Sequence, residues 1–137
     1  MIERRQSVMV ECEIPSSFRD LASEQPGRIE NATVRNISQG GVKIRVDEII
    51  PIQSSLYLYI PLPAYQYTVG TQAIPIWVVR LPREQKYEVG VRFVRVEKED
   101  EEAIQRFQYR SLLEKIPMRH NVVKDLLKNI PEMKEPP

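Results

Sequence analysis

Hydrophobic positions recur with period two over most of the first two thirds of the chain. Val8, Val10, Cys12 and Ile14 alternate with Met9, Glu11 and Glu13. Successive side chains on a strand point to opposite faces, so this pattern predicts a half-buried strand. Pro15 to Gly27 is polar, contains Pro15 and Pro26, and reads as a loop. Ala32 and Val34 alternate with Thr33 and Arg35, a second short strand. Asn36-Ile37-Ser38-Gln39-Gly40-Gly41 follows as a cluster of turn formers.

Beyond that turn, Val42, Ile44 and Val46 share one face, and Lys43 and Arg45 share the other, away from the core. Leu56, Leu58 and Ile60 alternate with Tyr57 and Tyr59. Tyr67 to Val79 is rich in β-branched and aromatic residues, with Pro75 marking a bend or an edge and Trp77 expected in the core. Val89, Val91 and Phe93 alternate with Gly90, Arg92 and Val94. About six short strands separated by turns make the pattern of a barrel or a sandwich.

The period then changes. Glu99, Asp100, Glu101 and Glu102 precede a helical stretch from Ala103 to Ile116, where acids complement the macrodipole. Ile104 and Phe107 form one apolar stripe of this helix. Tyr109, Leu112, Leu113 and Ile116 form a second, rotated stripe. Pro117 ends the helix. A further helical stretch carries Val122, Val123, Leu126, Leu127 and Ile130 and stops at Pro131. The organisation is therefore a barrel with its first helix over residues 1–116, then a second helix and a disordered, proline-rich tail over 117–137. The second stripe and the last helix are candidates for contact with another copy of the chain, a homodimer.

With 137 residues, this is one domain's worth of chain, enough to hold a core without staples. Net charge of +1 gives no global basic field, so DNA, RNA and acidic lipid are not expected partners. The tyrosines Tyr57, Tyr59, Tyr65 and Tyr67 around Pro61-Leu62-Pro63 read as decoration on the outside of a hairpin. A single cysteine, Cys12, forms no intrachain disulfide, and no window is apolar enough to span a membrane. Both features fit a cytoplasmic location. Cys12 and the lone His120 do not make a four-ligand zinc site. No nucleophile stands beside a base, so neither a catalytic residue nor a metal or cofactor is expected.

Three landmarks in order give the chain an affinity. Glu3-Arg4-Arg5 stands before the first strand. Asn36-x-Ser38-x-x-Gly41 precedes an alternating strand. Tyr87-Glu88-Val89-Gly90-Val91-Arg92-Phe93 precedes the helix. Over about residues 3–115 the sequence resembles the PilZ family. The resemblance implies a mostly β fold: a six-stranded antiparallel barrel followed by C-terminal helices. It also implies a receptor for the bacterial second messenger cyclic di-GMP, acting through a downstream protein partner in motility, pili or exopolysaccharide control. In that family an Arg-x-x-x-Arg segment wraps over the ligand, which would fall to Arg4 and Arg5. The second motif holds a guanine and a phosphate, which would fall to Asn36, Ser38, Gly40 and Gly41. These residue types suit the task. Guanidinium groups fork onto phosphate and stack on guanine. Short polar side chains reach a base edge, and glycines admit a close or left-handed backbone.

The first motif is interrupted. Counted from Arg5, the second arginine falls at Met9; counted from Arg4, at Val8. Losing a charge-assisted hydrogen bond removes about 1.5–3 kcal/mol. Arg35 and Arg45 flank the second motif as compensating cations. Two readings follow: an altered cyclic di-GMP receptor, or a domain that has lost the ligand and works only by protein contact.

Overall fold

A computed structural model describes residues 9–22, 28–63 and 65–114. Six strands run in chain order: β1 (Val10–Asp20), β2 (Glu30–Ile37), β3 (Gly41–Val46), β4 (Leu56–Leu62), β5 (Tyr67–Leu81) and β6 (Lys86–Phe93). One helix follows, α1 (Lys98–Glu114). The strands close into an antiparallel barrel in the order β1-β2-β3-β6-β5-β4. Closure gives every strand a partner on both sides.

The interior is filled by the inward residues of each strand, including Ile14, Val34, Ile37, Ile44, Leu56, Leu58, Ile60, Val69 and Val89. Ile104 and Phe107 of α1 complete the core from outside the barrel. The helix begins at Lys98, earlier than the expected Ala103, so the acids form its first turn rather than precede it. Buried Asp100 accepts a hydrogen bond from the Tyr67 hydroxyl at 2.6 Å. The Tyr65 hydroxyl donates to the Arg106 carbonyl, and the Arg110 guanidinium lies over the Tyr65 ring. Tyr65 and Tyr67 therefore clamp the helix to the barrel rather than decorate the hairpin; Tyr57 and Tyr59 do lie on its half-buried outer side. On the second stripe, Leu112 is exposed and Tyr109 and Leu113 are half-buried. Residues 115–137, with the second helical stretch, the tail and His120, lie outside the described residues.

Three register shifts separate the real barrel from a strict alternation. On β1, an extra residue lies between Glu11 and Ile14. On β2, Arg35 is the extra residue between Val34 and Asn36, so Val34 and Ile37 both point inward. On β5, Ile76 is extra between Pro75 and Trp77. This last bulge overturns the expectation that Trp77 is core. Val69, Thr71, Ala73 and Pro75 face inward, but one added residue turns Trp77 out to the surface. The loop expected from Pro15 also proves to be strand up to Asp20. β4 joins β1 only from Ser17 onward, so one side of β1 is open at Pro15. That is the setting in which a strand tolerates a missing N–H.

Candidate functional site

The turn between β2 and β3 is built by Ser38. Its backbone N–H donates to the Gly41 carbonyl at 2.9 Å, and its hydroxyl donates to the same carbonyl at 3.3 Å. The hydroxyl oxygen also accepts the Gly40 N–H at 3.2 Å. Ser38 is 5% exposed, so it holds the turn's shape from beneath. Gly41 is required by proximity: a Cβ there would run into the Val91 backbone carbonyl of β6. Gly40 faces open space, and neither glycine has a left-handed φ. The Phe93 N–H donates to the Gly40 carbonyl and fixes the turn against the end of β6.

Trp77 lies across the neighbouring strand. Gly90 is its register partner, and a Cβ at Gly90 would penetrate the indole ring. The indole thus rests flat on the glycine backbone, still 39% exposed. A side chain on β6 would lift it off.

Turn and indole are two walls of one open cavity of about 450 Å³. Asn36, Ser38, Gly40 and Gly41 line it from the motif, Ile76 and Trp77 from β5, and Gly90 and Arg92 from β6. Lys43 and Met9 complete the lining. Two cations, Lys43 and Arg92, border it, and no carboxylate among the described residues does. Arg92 has no ion pair among the described residues. The cavity therefore offers an aromatic face, backbone and amide groups, and positive charge from Arg92, with Lys43 shared between the cavity and Glu88. That set suits a planar base joined to an anion.

The flanking arginines are otherwise engaged. Arg45 bonds Glu88 at 2.9 Å and Glu84 at 3.1 Å. The Glu88 hydrogen bond holds the Arg45 pKa above its ordinary value, against the opposing effect of burial. Arg35 pairs with Glu13 at 3.2 Å and lines an adjoining groove with Glu11, Glu13 and Glu88. Asn36 and Lys43 border both grooves, and Lys43 stands 3.8 Å from Glu88. Arg4 and Arg5 lie outside the described residues. The position that breaks the first motif, Met9, does reach the cavity and is 51% exposed. The sequence alone does not single out Lys43, Trp77 or Arg92 as site residues, yet all three line the cavity. The signal available for two of them was the Gly90-Val91-Arg92 run itself. Among the described residues no group of three or more His, Cys, Asp or Glu could hold a metal ion.

The sequence matches the PilZ domain family over residues 3–110. The chain belongs to the PilZ family. Solved structures share the fold. The motility inhibitor MotI of Bacillus subtilis superposes with a TM-score of 0.69 at 23% identity, covering 83% of this chain and 54% of that one. The PilZ domain of Escherichia coli YcgR with c-di-GMP gives 0.60 at 14% identity, covering 81% and 93%. The MrkH–c-di-GMP complex of K. pneumonia gives 0.60 at 14%, covering 81% and 52%. This PilZ chain thus spans about half the length of MotI and MrkH. Among proteins of curated function, none matches the sequence. No described helix is long and apolar enough to cross a membrane.

Proposed function

We propose that this PilZ domain is a non-catalytic receptor that binds cyclic di-GMP in the motif cavity and passes the signal to a protein partner. The observation that carries this is the cavity's make-up: Asn36 and the Ser38–Gly41 turn face an exposed indole, with Lys43 and Arg92 alongside and no carboxylate. The ligand is a dianion carrying two guanines. Trp77 supplies a stacking face, and Lys43 and Arg92 supply the phosphate charge that Met9 does not. Ser38 acts by shaping the turn that presents Asn36 and the Gly40 backbone. Arg35 and Arg45 contribute less directly, because neither lines the cavity and each is held by a carboxylate. Arg4 and Arg5 precede Met9 by five and four residues in the sequence, and Met9 lines the cavity. Two of the structural neighbours, YcgR and MrkH, are complexes with c-di-GMP and a third, MotI, is an inhibitor of motility, which supports the reading.

Trp77 is the only tryptophan of the chain, so its fluorescence reports directly on this site. Titration with cyclic di-GMP should quench it saturably. Arg92→Ala and Lys43→Ala should each raise the apparent Kd about tenfold, the loss of one charge-assisted contact. Unchanged fluorescence up to high ligand concentration would favour the competing reading, a domain working by protein contact alone. That reading draws on Met9 standing at the cavity where the family places an arginine.

A further inference from the structure

The barrel end away from the motif carries a second recess, of about 290 Å³. The end of β1, residues 28–31 and the connection from β3 to β4 form it. Buried Phe18, Val46 and Ile50 are its floor. Its rim is apolar and open: Ile29 is 52% exposed and Ile49 64%. Leu21 and Ile52 are exposed as well, and the Leu21 N–H donates to the Ser55 carbonyl, tying the end of β1 to the connection from β3 to β4. Single exposed apolar residues are ordinary, but two open isoleucines over a floor of buried apolar side chains make a continuous apolar recess.

The charge around this patch is one-sided. Asp20, Glu30, Asp47 and Glu48 line the recess, against Arg28 alone. Lys86 answers only Asp47. The chain as a whole is nearly neutral, so this acidic excess is local; the motif cavity, by contrast, is bordered by Lys43 and Arg92 with no carboxylate in its lining. β2 joins the two ends, and its seven steps from Glu30 to Ile37 span roughly 23 Å at ~3.3 Å per residue.

We propose that this acid-rimmed isoleucine recess docks a protein segment presenting a branched apolar side chain flanked by lysine or arginine. The apolar rim provides the buried contact, and the carboxylates select the flanking charge and speed encounter. The same carboxylates argue against other occupants. Two copies meeting through this face would set like charges opposite each other. An anionic lipid surface or a nucleotide would be repelled. The proposal does not depend on what fills the motif cavity.

The test uses two labelled amphipathic peptides of about 14 residues, one of isoleucine and lysine, one of isoleucine and glutamate, read by fluorescence anisotropy. The lysine peptide should saturate the intact protein, with affinity falling as salt rises, and the glutamate peptide should not bind. Glu48→Lys and Ile49→Asp should each weaken binding about tenfold or more, while Arg92→Ala should leave it unchanged. Both loop positions are exposed, and a thermal melt checks that the variants stay folded. In isoleucine-methyl spectra, Ile29, Ile49 and Ile52 should shift on peptide addition and Ile76 should not. Absence of binding, equal binding of both peptides, or shifts confined to Ile76 would overturn the proposal. So would self-association in sedimentation that Ile49→Asp abolishes, because the occupant would then be a second copy.

Discussion

Replacing Met9 by arginine should tighten cyclic di-GMP binding. Met9 is half-exposed and lines the cavity without a charge, while the other walls already hold Lys43 and Arg92. The new guanidinium completes an Arg-x-x-x-Arg spacing with Arg5. A charge-assisted hydrogen bond to phosphate contributes about 1.5–3 kcal/mol. Ordering a long side chain opposes it by up to about 1.5–2 kcal/mol, and stacking on a guanine returns ~0.5–2 kcal/mol. The middle of each range leaves a net of about 1.8 kcal/mol, or roughly twentyfold in Kd. Isothermal titration of wild type, Met9→Arg and the neutral control Met9→Gln separates charge from size. The gain should appear only in Met9→Arg, and it should shrink as salt rises from low to physiological ionic strength. Equal tightening by glutamine, or none by arginine in a protein with an unchanged melting temperature, would refute the argument that the cavity lacks a cation at this position.

Trp77→Ala should weaken cyclic di-GMP binding about tenfold or more, since a base–aromatic stack contributes ~1–3 kcal/mol, and Trp77→Phe should keep part of it; calorimetry reads both. Gly41→Ala should destabilise the fold by about 1–3 kcal/mol in urea unfolding, because the added methyl meets the Val91 carbonyl rather than open space. Gly40→Ala, with nothing near its Cβ position, should be close to neutral in the same assay. The hydrogen bond to Asp100 is the main cause that pushes the Tyr67 pKa up to about 12 from 10.0. The folded state therefore keeps this proton longer than the unfolded chain does. Its contribution is complete below pH 10 and fades between pH 10 and 12. After solvent screening this is about 1 kcal/mol, and Tyr67→Phe should remove that part of the alkaline slope in pH-dependent unfolding.

Alternation carried most of the fold. The inward residues of β3, β4 and β6 are those that period two selects, because these strands hold their register without interruption. Where a bulge adds one residue, the rule inverts, and nothing in a local window signals it. Trp77 lies in a strand and reads as core, whereas the Ile76 bulge turns it to the cavity. A proline reads as a breaker until its open side is known, so the sequence ends β1 at Pro15 while the strand runs on to Asp20. The Asn36–Gly41 motif was legible as a unit, since its turn is built from residues adjacent in sequence. The cations were not. Arg45 lies two residues beyond Lys43 on the same face, yet Glu84 and Glu88, some forty positions away, bind the arginine while the lysine reaches the cavity. Both contact Glu88, so which of the two like charges also lines the cavity is decided by strand pairing across the barrel. The acidic recess is equally non-local: Asp20, Glu30 and Glu48 come from three separate segments.

The central claim is that the cavity between the β2–β3 turn and Trp77 binds cyclic di-GMP. Calorimetric titration of the wild-type protein with cyclic di-GMP, at ~100 μM protein so that micromolar affinity gives measurable heat, tests it most directly. The expected result is a saturable, salt-sensitive isotherm that Trp77→Ala and Arg92→Ala both weaken. No heat from the wild type, or an isotherm that neither substitution alters, would contradict it.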